Sequence, residues 1–209
     1  MISLKARVSM AAAICGMLLL AAGCNKKDET KTLLTQAIDA YYGAHPECLW
    51  PDSVKFPVEV ATSDTSRTQG YDALVDAGLL IRIEATKKVF IFGSKQESDY
   101  DISATGRSSW TPDPEQAGYG NFCFGHRSVT SLDSIASVVR DSAPSASTTV
   151  SYHYRIAGLA PWANTDKMKN SFPSVQAALI GPAASTAALV RTNGTWAVVN
   201  AGTGSVVNQ

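Results

Sequence analysis

An apolar run near the start of the chain decides which residues are left to form the fold. Lys5 and Arg7 make a short basic start, and an apolar run from Val8 to Leu20 follows. This run is about 13 residues long, which fits the roughly 7 to 15 residues of a secretory signal and is short of the roughly 20 that a membrane-spanning helix needs. The sequence therefore predicts an export signal over residues 1–23 and a body folded outside the cytosol.

The end of this stretch, Leu20-Ala21-Ala22-Gly23-Cys24, contains a candidate lipid-attachment site. It resembles the bacterial lipobox, although Ala21 stands where that pattern most often has leucine. The resemblance implies that Cys24 receives a diacylglyceryl group and becomes the first residue of the mature chain. In the alternative, an ordinary signal is cleaved and Cys24 is incidental. The residue after Cys24 is Asn25. In enterobacterial-type lipoproteins an aspartate at that position favours the inner membrane. The resemblance therefore implies anchoring at the periplasmic face of the outer membrane, with the inner membrane as the alternative.

Composition after removal of the signal is typical of a folded body and argues against a nucleic-acid partner. Of the 209 residues, 186 remain, enough for one large domain or two small ones. Without Lys5 and Arg7 the chain has 16 basic and 18 acidic residues, and a net charge near −2 is the opposite of a basic nucleic-acid-binding face. The polar residues 24–31 are predicted to be a lipidated tether.

Cysteine usage predicts one disulfide. Cys15 leaves with the signal and Cys24 is assigned to lipid, so Cys48 and Cys123 remain as an even pair in an oxidising compartment. We therefore predict a bond between Cys48 and Cys123. Closing a loop of about 75 residues stabilises a fold by roughly 4 to 5 kcal/mol on the chain-entropy model.

Histidines supply the alternative chemistry. Each cysteine of the pair lies three residues from a histidine, so two thiolates and two imidazoles could surround a tetrahedral zinc ion if no disulfide forms. This alternative zinc site consists of His45, Cys48, Cys123 and His126. The sequence contains no Gly-x-Ser-x-Gly nucleophile elbow. Our main interpretation is a protein without catalytic residues, metal or cofactor; the enzyme alternative is a metal-assisted hydrolase using His45, His126 or His153.

The first part of the mature chain, residues 32–110, is predicted to contain helices followed by a hairpin. Helical spacing of apolar residues from Leu33 to Tyr41 predicts an amphipathic helix. A second helix ends at Gly78, and strands over 79–84 and 89–92 flank a predicted turn at 85–88.

A local resemblance covers residues 71–106. The segment has a helix, an Ala-Gly-Leu-Leu exit, a two-stranded wing and a Tyr-x-Ile-Ser-x-x-Gly end, and it resembles the end of a winged-helix domain. The resemblance implies a winged-helix-like fold for this part. It does not imply DNA binding, because the helix carries Asp72 and Asp76, whose carboxylates would face phosphate.

The second part, residues 121–209, is predicted to be an antiparallel sheet with one covering helix. Strict alternation from Val150 to Ile156 predicts a strand, and Asn193-Gly194 predicts a hairpin turn between 187–192 and 195–199. A helix is predicted between Thr165 and Gly181, kinked or restarted at Pro173. The fold class is therefore α+β, and the two parts could also form one compact unit.

Three tryptophans in predicted loops are candidates for contact with a partner. Trp50, Trp110 and Trp162 each lie beside a proline or one residue from it. Buried aromatic anchors dominate protein interfaces, whereas the alternative is that these rings fill the ends of the sheet. We interpret the chain as a lipid-anchored, protein-binding or scaffolding module of the envelope, either immunity-like or an accessory of an envelope machine. A carrier with an apolar cavity under the second sheet is a further alternative.

Overall fold

The computed structural model describes residues 22–89, 93–136, 145–202 and 205–206, and describes side-chain surroundings for 28–84, 96–136 and 145–202. Apart from the backbone of Ala22 and Gly23, the predicted export signal lies outside the described residues, and so does the side chain of Cys24. Within the described ranges, no helix combines the length and the apolar character that crossing a membrane requires.

The described elements form a mixed α+β fold, which confirms the predicted class. The helices are α1 (Ala22–Ala44), α2 (Thr65–Asp76), α3 (Asp166–Ser171) and α4 (Pro173–Leu179), with 3₁₀ turns at Gly106–Ser108 and Pro161–Asn164. The strands are β1 (Glu47–Cys48), β2 (Val54–Lys55), β3 (Val58–Ala61), β4 (Leu80–Val89), β5 (Gly93–Ile102), β6 (Trp110–Pro112), β7 (Tyr119–Ile135), β8 (Ala146–Ala157), β9 (Ala183–Thr192), β10 (Thr195–Ala201) and β11 (Ser205–Val206).

The strands make two antiparallel sheets. The larger one has eight strands, with β1-β7-β8-β9-β10 as neighbours in that order, β2 and β6 also paired with β7, and β11 paired with β9. The smaller sheet has the order β3-β5-β4. Strand β7 is therefore the central element of the larger sheet, because strands from both parts of the chain pair with it.

Helix α1 covers the larger sheet, which corrects the predicted position of the covering helix. Leu34, Ile38 and Tyr42 follow one another at four-residue spacing and are buried in one cluster with residues of β8, β9 and β10. The Asp39 carboxylate accepts a hydrogen bond of 2.8 Å from the Val129 amide, beside an irregularity in the β7–β8 pairing. The predicted helix is therefore present, but it belongs to the sheet of the second part.

The start of α1 also differs from the predicted tether. The helix begins at Ala22, so residues 24–31 are helical in the structure rather than extended. A helix rises about 1.5 Å per residue, against about 3.3 Å for an extended chain. The segment is therefore less than half as long as the extended tether would be.

A second core joins α2 and the smaller sheet to the second part of the chain. Its buried residues include Leu74 and Tyr100 from the first part and Phe122, Met168 and Val175 from the second. Helices α3 and α4 belong to this core and not to the covered face of the larger sheet. Pro173 begins α4, so the predicted single helix is two short ones, because proline lacks the N–H of an interior position and suits the first turn.

The wing-like hairpin of β4 and β5 is longer than predicted. The two strands pair continuously from Leu80 with Ile102 to Val89 with Gly93, and residues 90–92 of the predicted strand over 89–92 lie outside the described residues. The predicted turn at 85–88 is wrong, because these residues continue β4. Ala-Thr-Lys-Lys contains none of the glycine, proline, asparagine or aspartate residues that turns favour.

The Tyr-x-Ile-Ser-x-x-Gly segment closes the base of this hairpin. Ser103 Oγ donates to the Gly78 carbonyl at 2.6 Å and accepts from the Gly106 amide at 2.8 Å. Gly78 has a φ of 75°, and a Cβ at Gly106 would lie 1.9 Å from the carbonyl oxygen of Leu79. The two glycines are therefore required by a positive φ and by a close backbone approach, respectively.

Two predictions for the larger sheet are confirmed. The alternating segment forms β8, in which Val150, Tyr152 and Tyr154 are buried. The Asn193-Gly194 turn joins β9 to β10 with φ values of 52° and 89°, as a two-residue hairpin turn requires.

We predict that Gly106→Ala lowers the free energy of unfolding by about 3 kcal/mol, because the added methyl group would overlap the Leu79 carbonyl. Urea unfolding measures the change. The matched control is Gly43→Ala, since a Cβ at Gly43 in α1 meets nothing within 4 Å and alanine favours the helix. Equal unfolding midpoints for the two variants would contradict the close approach.

Candidate binding site

The predicted disulfide is confirmed. Cys48 and Cys123 lie directly opposite each other in the β1–β7 pairing and are joined by an S–S bond of 2.02 Å. The alternative zinc site is therefore wrong, because neither sulfur is available as a thiolate ligand. Among the described residues, no group of three or more His, Cys, Asp or Glu side chains is arranged to hold a metal ion.

The three histidines lie in separate contacts. His45 stacks on Tyr41 with ring centroids 4.1 Å apart, and its Nδ1 lies 2.7 Å from the Tyr41 carbonyl oxygen, to which it donates. His126 on β7 is opposite Ala157 of β8. His153 on β8 is partly exposed, and its Nδ1 lies 2.8 Å from an oxygen of Asp133. The two grooves described below have no histidine among their lining residues.

A partly buried cation next to the disulfide holds the larger sheet to α1. Arg127 Nε donates to Glu47 Oε1 at 2.5 Å, and Glu47 precedes Cys48. The guanidinium carbon lies 5.1 Å from the ring centre of Tyr42 and 4.8 Å from that of Tyr154. Burial opposes the charge of Arg127, but Glu47 and the two phenol groups outweigh it, so its pKa is raised. The arginine therefore stays charged between two aromatic faces.

Hydroxyl groups extend this contact into a closed network. Arg127 Nη1 lies 3.4 Å from the Tyr42 hydroxyl and 3.5 Å from the Gly202 carbonyl oxygen. Ser185 Oγ donates to the Gly202 carbonyl oxygen at 3.0 Å, and the Tyr152 hydroxyl is hydrogen-bonded both to Ser185 and to the Tyr42 hydroxyl, whose oxygen lies 2.9 Å away. Each buried hydroxyl thus has a partner, which removes the penalty for burying it. The network binds α1, β7, β8 and β9 together.

The three candidate tryptophans meet around one phenylalanine. The ring centre of Phe122 lies 5.0 Å from Trp110, 6.2 Å from Trp162 and 6.3 Å from Trp50. All three indoles are half-buried, and Trp110 packs over Gly120, where a Cβ would come within 2.6 Å of its ring. Trp110 and Trp162 therefore contribute to packing, whereas Trp50 also faces a groove.

That groove, which we call the aromatic cleft, has a volume of about 290 Å³. Its lining residues are Trp50, Ser66, Arg67, Gly70, Tyr71, Ser171 and Phe172. The ring centre of Trp50 lies 6.2 Å from Phe172 and 6.3 Å from Tyr71, so three aromatic rings form its walls. Pockets with aromatic walls and a few polar groups are the usual form of a binding site.

Each wall of the aromatic cleft is fixed by its neighbours. The Trp50 amide donates to Asn121 Oδ1 at 3.3 Å, and Asn121 Nδ2 donates back to the Trp50 carbonyl at 2.7 Å. On the opposite wall, Asp64 caps α2 by accepting from the Arg67 amide. Hydrogen bonds from the Ser66 hydroxyl and that amide lower the pKa of Asp64, so the cap stays ionised at neutral pH.

A second groove, of about 330 Å³, lies between α1 and β7. Its lining residues are Lys31, Thr32, Thr35, Gln36, Val129, Thr130, Ser131 and Leu132. Most of them are polar, and none is aromatic. We therefore take the aromatic cleft as the candidate site.

Sequence reasoning found one wall of the cleft and missed the others. Trp50 was selected because it lies in a proline-bounded loop. Tyr71 and Phe172 have the helical spacing of core residues, and nothing in the pattern indicates that two residues so far apart in sequence meet. The glycine at position 70, inside α2, was the available indication, because a glycine in a helix interior weakens the helix unless space is needed there.

A scan against protein-family models finds no match to this chain, and searches of curated proteins and of solved structures also find none.

We predict that Glu47→Ala lowers the free energy of unfolding by about 2 kcal/mol, because it leaves a largely buried guanidinium without its carboxylate. The control is Asp76→Ala, which breaks the exposed Lys167–Asp76 pair and should cost less than about 0.5 kcal/mol. Chemical denaturation compares them. A Glu47 variant no less stable than the Asp76 variant would refute the structural role of Arg127.

Alkaline pH should unfold the protein through its buried tyrosines. Burial raises the pKa of Tyr100, Tyr152 and Tyr154. A pKa that is higher in the folded state gives stability that is complete below about pH 10 and is lost as the pH rises further. The unfolding free energy should fall as the pH rises above about 10, and Tyr154→Phe should make this fall less steep. A slope unchanged by Tyr154→Phe would show that Tyr154 has no part in the loss.

Proposed function

We propose that the chain is a lipid-anchored protein of the cell envelope that binds a partner protein and has no chemistry of its own. The aromatic cleft carries this proposal, and it would receive an apolar side chain of the partner. Anchoring through Cys24 at the periplasmic face of the outer membrane, with the inner membrane as the alternative, rests on the sequence of the first 25 residues. An oxidised Cys48–Cys123 pair is consistent with that compartment.

The size of the cleft favours a protein partner over a free small molecule. Small-ligand pockets run from about 300 to 1,000 Å³, so a volume of about 290 Å³ is at their lower limit. It suits one inserted side chain, and Arg67 and Ser171 at its edge can donate hydrogen bonds to the carbonyl groups on either side of that residue. Central aromatic pockets of this kind provide most of the affinity in protein interfaces.

The position of α1 supports binding close to a membrane. Cys24 and Leu34 lie on one helix, and Leu34 is fully buried against the larger sheet. Ten residues of helix span about 15 Å. A lipid on Cys24 would therefore hold the body near the bilayer surface, where an immunity-like role or a place in an envelope machine is equally compatible with the cleft.

The alternatives have less support. A metal-assisted hydrolase would need histidines that converge, and the three histidines lie in separate contacts. A carrier of an apolar ligand would need space under the larger sheet, where Leu34, Ile38 and Tyr42 are packed.

A variant that fills the cleft without removing a packed side chain tests the proposal. Gly70 lines the cleft, and a Cβ there meets only the far edge of the Phe172 ring, at 3.4 Å. We predict that Gly70→Leu abolishes partner binding while the protein stays folded. The measurement is photocrosslinking in native envelopes from a light-activated amino acid placed at Arg67, which is exposed.

The matched control is Gly43→Leu, also in a helix but away from the cleft. The proposal expects the same crosslinked protein in the wild type and in this control, and a several-fold loss with Gly70→Leu. Circular dichroism establishes that both variants fold. A crosslinked product that persists when the cleft is filled, or the absence of any protein product, would overturn the proposal.

A further inference from the structure

Strand β4 has a free edge. It lies at the end of the order β3-β5-β4, so among the described residues only β5 pairs with it. It is ten residues long, pairs with β5 without a register shift, and contains no proline. Natural proteins usually shorten, bend or cover such an edge, because its unpaired backbone groups can bind another strand. Among the described residues, β4 is neither short nor bent by a bulge and no further strand pairs with it, and the protection of its edge consists of charged side chains.

The edge also carries exposed apolar side chains. Ile81 and Ile83 are 47% and 57% exposed, and both lie on the outer face of the smaller sheet, opposite Asp101 and Asp99 of β5. Among the described residues, the other large exposed apolar side chains lie apart from one another: Leu33 on α1, Val199 on β10 and Ile180 just after α4. Two exposed isoleucines on one face of a strand with an unpaired edge are typical of an interaction surface.

The sequence of β4 is complementary to itself. If two copies pair antiparallel about a twofold axis at Ile83, then Ile83 faces its own copy and Arg82 faces Glu84 of the other copy, twice. Opposite charges in facing positions stabilise a strand pair, and like charges destabilise it. Shifting the axis to Arg82 would place two guanidinium groups opposite each other, and shifting it to Glu84 would place two carboxylates opposite each other. The charges therefore favour the register centred on Ile83 over either of these two neighbouring registers.

The side chains needed for this pairing are accessible. Arg82 donates to Asp72 at 2.9 Å and to Glu84 of its own strand at 3.2 Å, which leaves other N–H groups of the guanidinium for a second carboxylate. The side chain of Arg82 is 40% exposed and that of Glu84 is 70% exposed. Neither has to leave a buried position to meet a second copy.

We propose that β4 pairs antiparallel with β4 of a second copy of this chain, with the twofold axis at Ile83, so that the two smaller sheets become one six-stranded sheet. The isoleucines of both copies then form one apolar row on the outer face. This dimer leaves the aromatic cleft untouched and does not depend on the proposed function.

Disulfide crosslinking of the full chain in native membranes tests the register. Ile83→Cys places two thiols opposite each other at the axis, so mild oxidation should give a crosslinked dimer. The control is Val199→Cys on β10, which is 63% exposed but far from the proposed seam in the strand order. We expect the dimer yield from Ile83→Cys to exceed that from Val199→Cys several-fold on a non-reducing gel.

Charge variants distinguish specific strand pairing from crosslinks that form when two copies meet by chance. In the Ile83→Cys background, Glu84→Arg places like charges opposite each other and should lower the yield several-fold, and adding Arg82→Glu should restore it. Circular dichroism confirms folding of each variant. Equal dimer yields from Ile83→Cys and Val199→Cys would overturn the proposal, and so would a yield that Glu84→Arg does not change. An adduct of Ile83→Cys with a different protein would also overturn it, because it would show that a strand of that protein occupies the edge.

Discussion

The contact between β1 and β7 links the two cores of the protein. Cys48 is bonded to Cys123, and the preceding Glu47 holds Arg127 between two tyrosine rings. On one side this contact leads through Arg127 to α1 and the larger sheet. On the other it leads to Trp50, a wall of the aromatic cleft. A covalent bond and a largely buried ion pair in adjacent positions therefore determine how the first part of the chain meets the second.

The length of strand β7 explains how the two-residue strand β1 can link the two cores. Strand β7 is 17 residues long. Its first half belongs to the second core, which contains α2 and the smaller sheet, and its second half pairs with β8 under α1. Phe122 and Arg127 lie on the same strand, so the packing of the tryptophans and the burial of the guanidinium are coupled through a rigid backbone. Elements distant in sequence are then positioned relative to one strand, and the cleft forms where α2 and α3 approach Trp50.

Local patterns predicted local structure well. Alternation identified β8, the Asn193-Gly194 pair identified the hairpin of β9 and β10, and the count of cysteines identified the disulfide. What could not be predicted is which surfaces meet: an apolar stripe on α1 does not state which sheet it covers, and Tyr71 and Phe172 have the same spacing as any core residue. The sequence predicts too short a β4, because two adjacent lysines interrupt the apolar alternation where the strand continues. Long-range packing is decided by the fit of whole faces, to which no single residue pattern corresponds.

Hydrogen exchange of the Cys48→Ala/Cys123→Ala variant tests most directly whether the β1–β7 contact positions the cleft. In the intact protein the Leu49 amide donates to the Phe122 carbonyl at 3.0 Å, and the Trp50 amide donates to Asn121. Without the disulfide, these two amides should lose protection against exchange. The Val129 amide, which donates a hydrogen bond to Asp39 of α1, should keep its protection. Unchanged protection at Leu49 and Trp50, or an equal loss at Val129, would contradict this account.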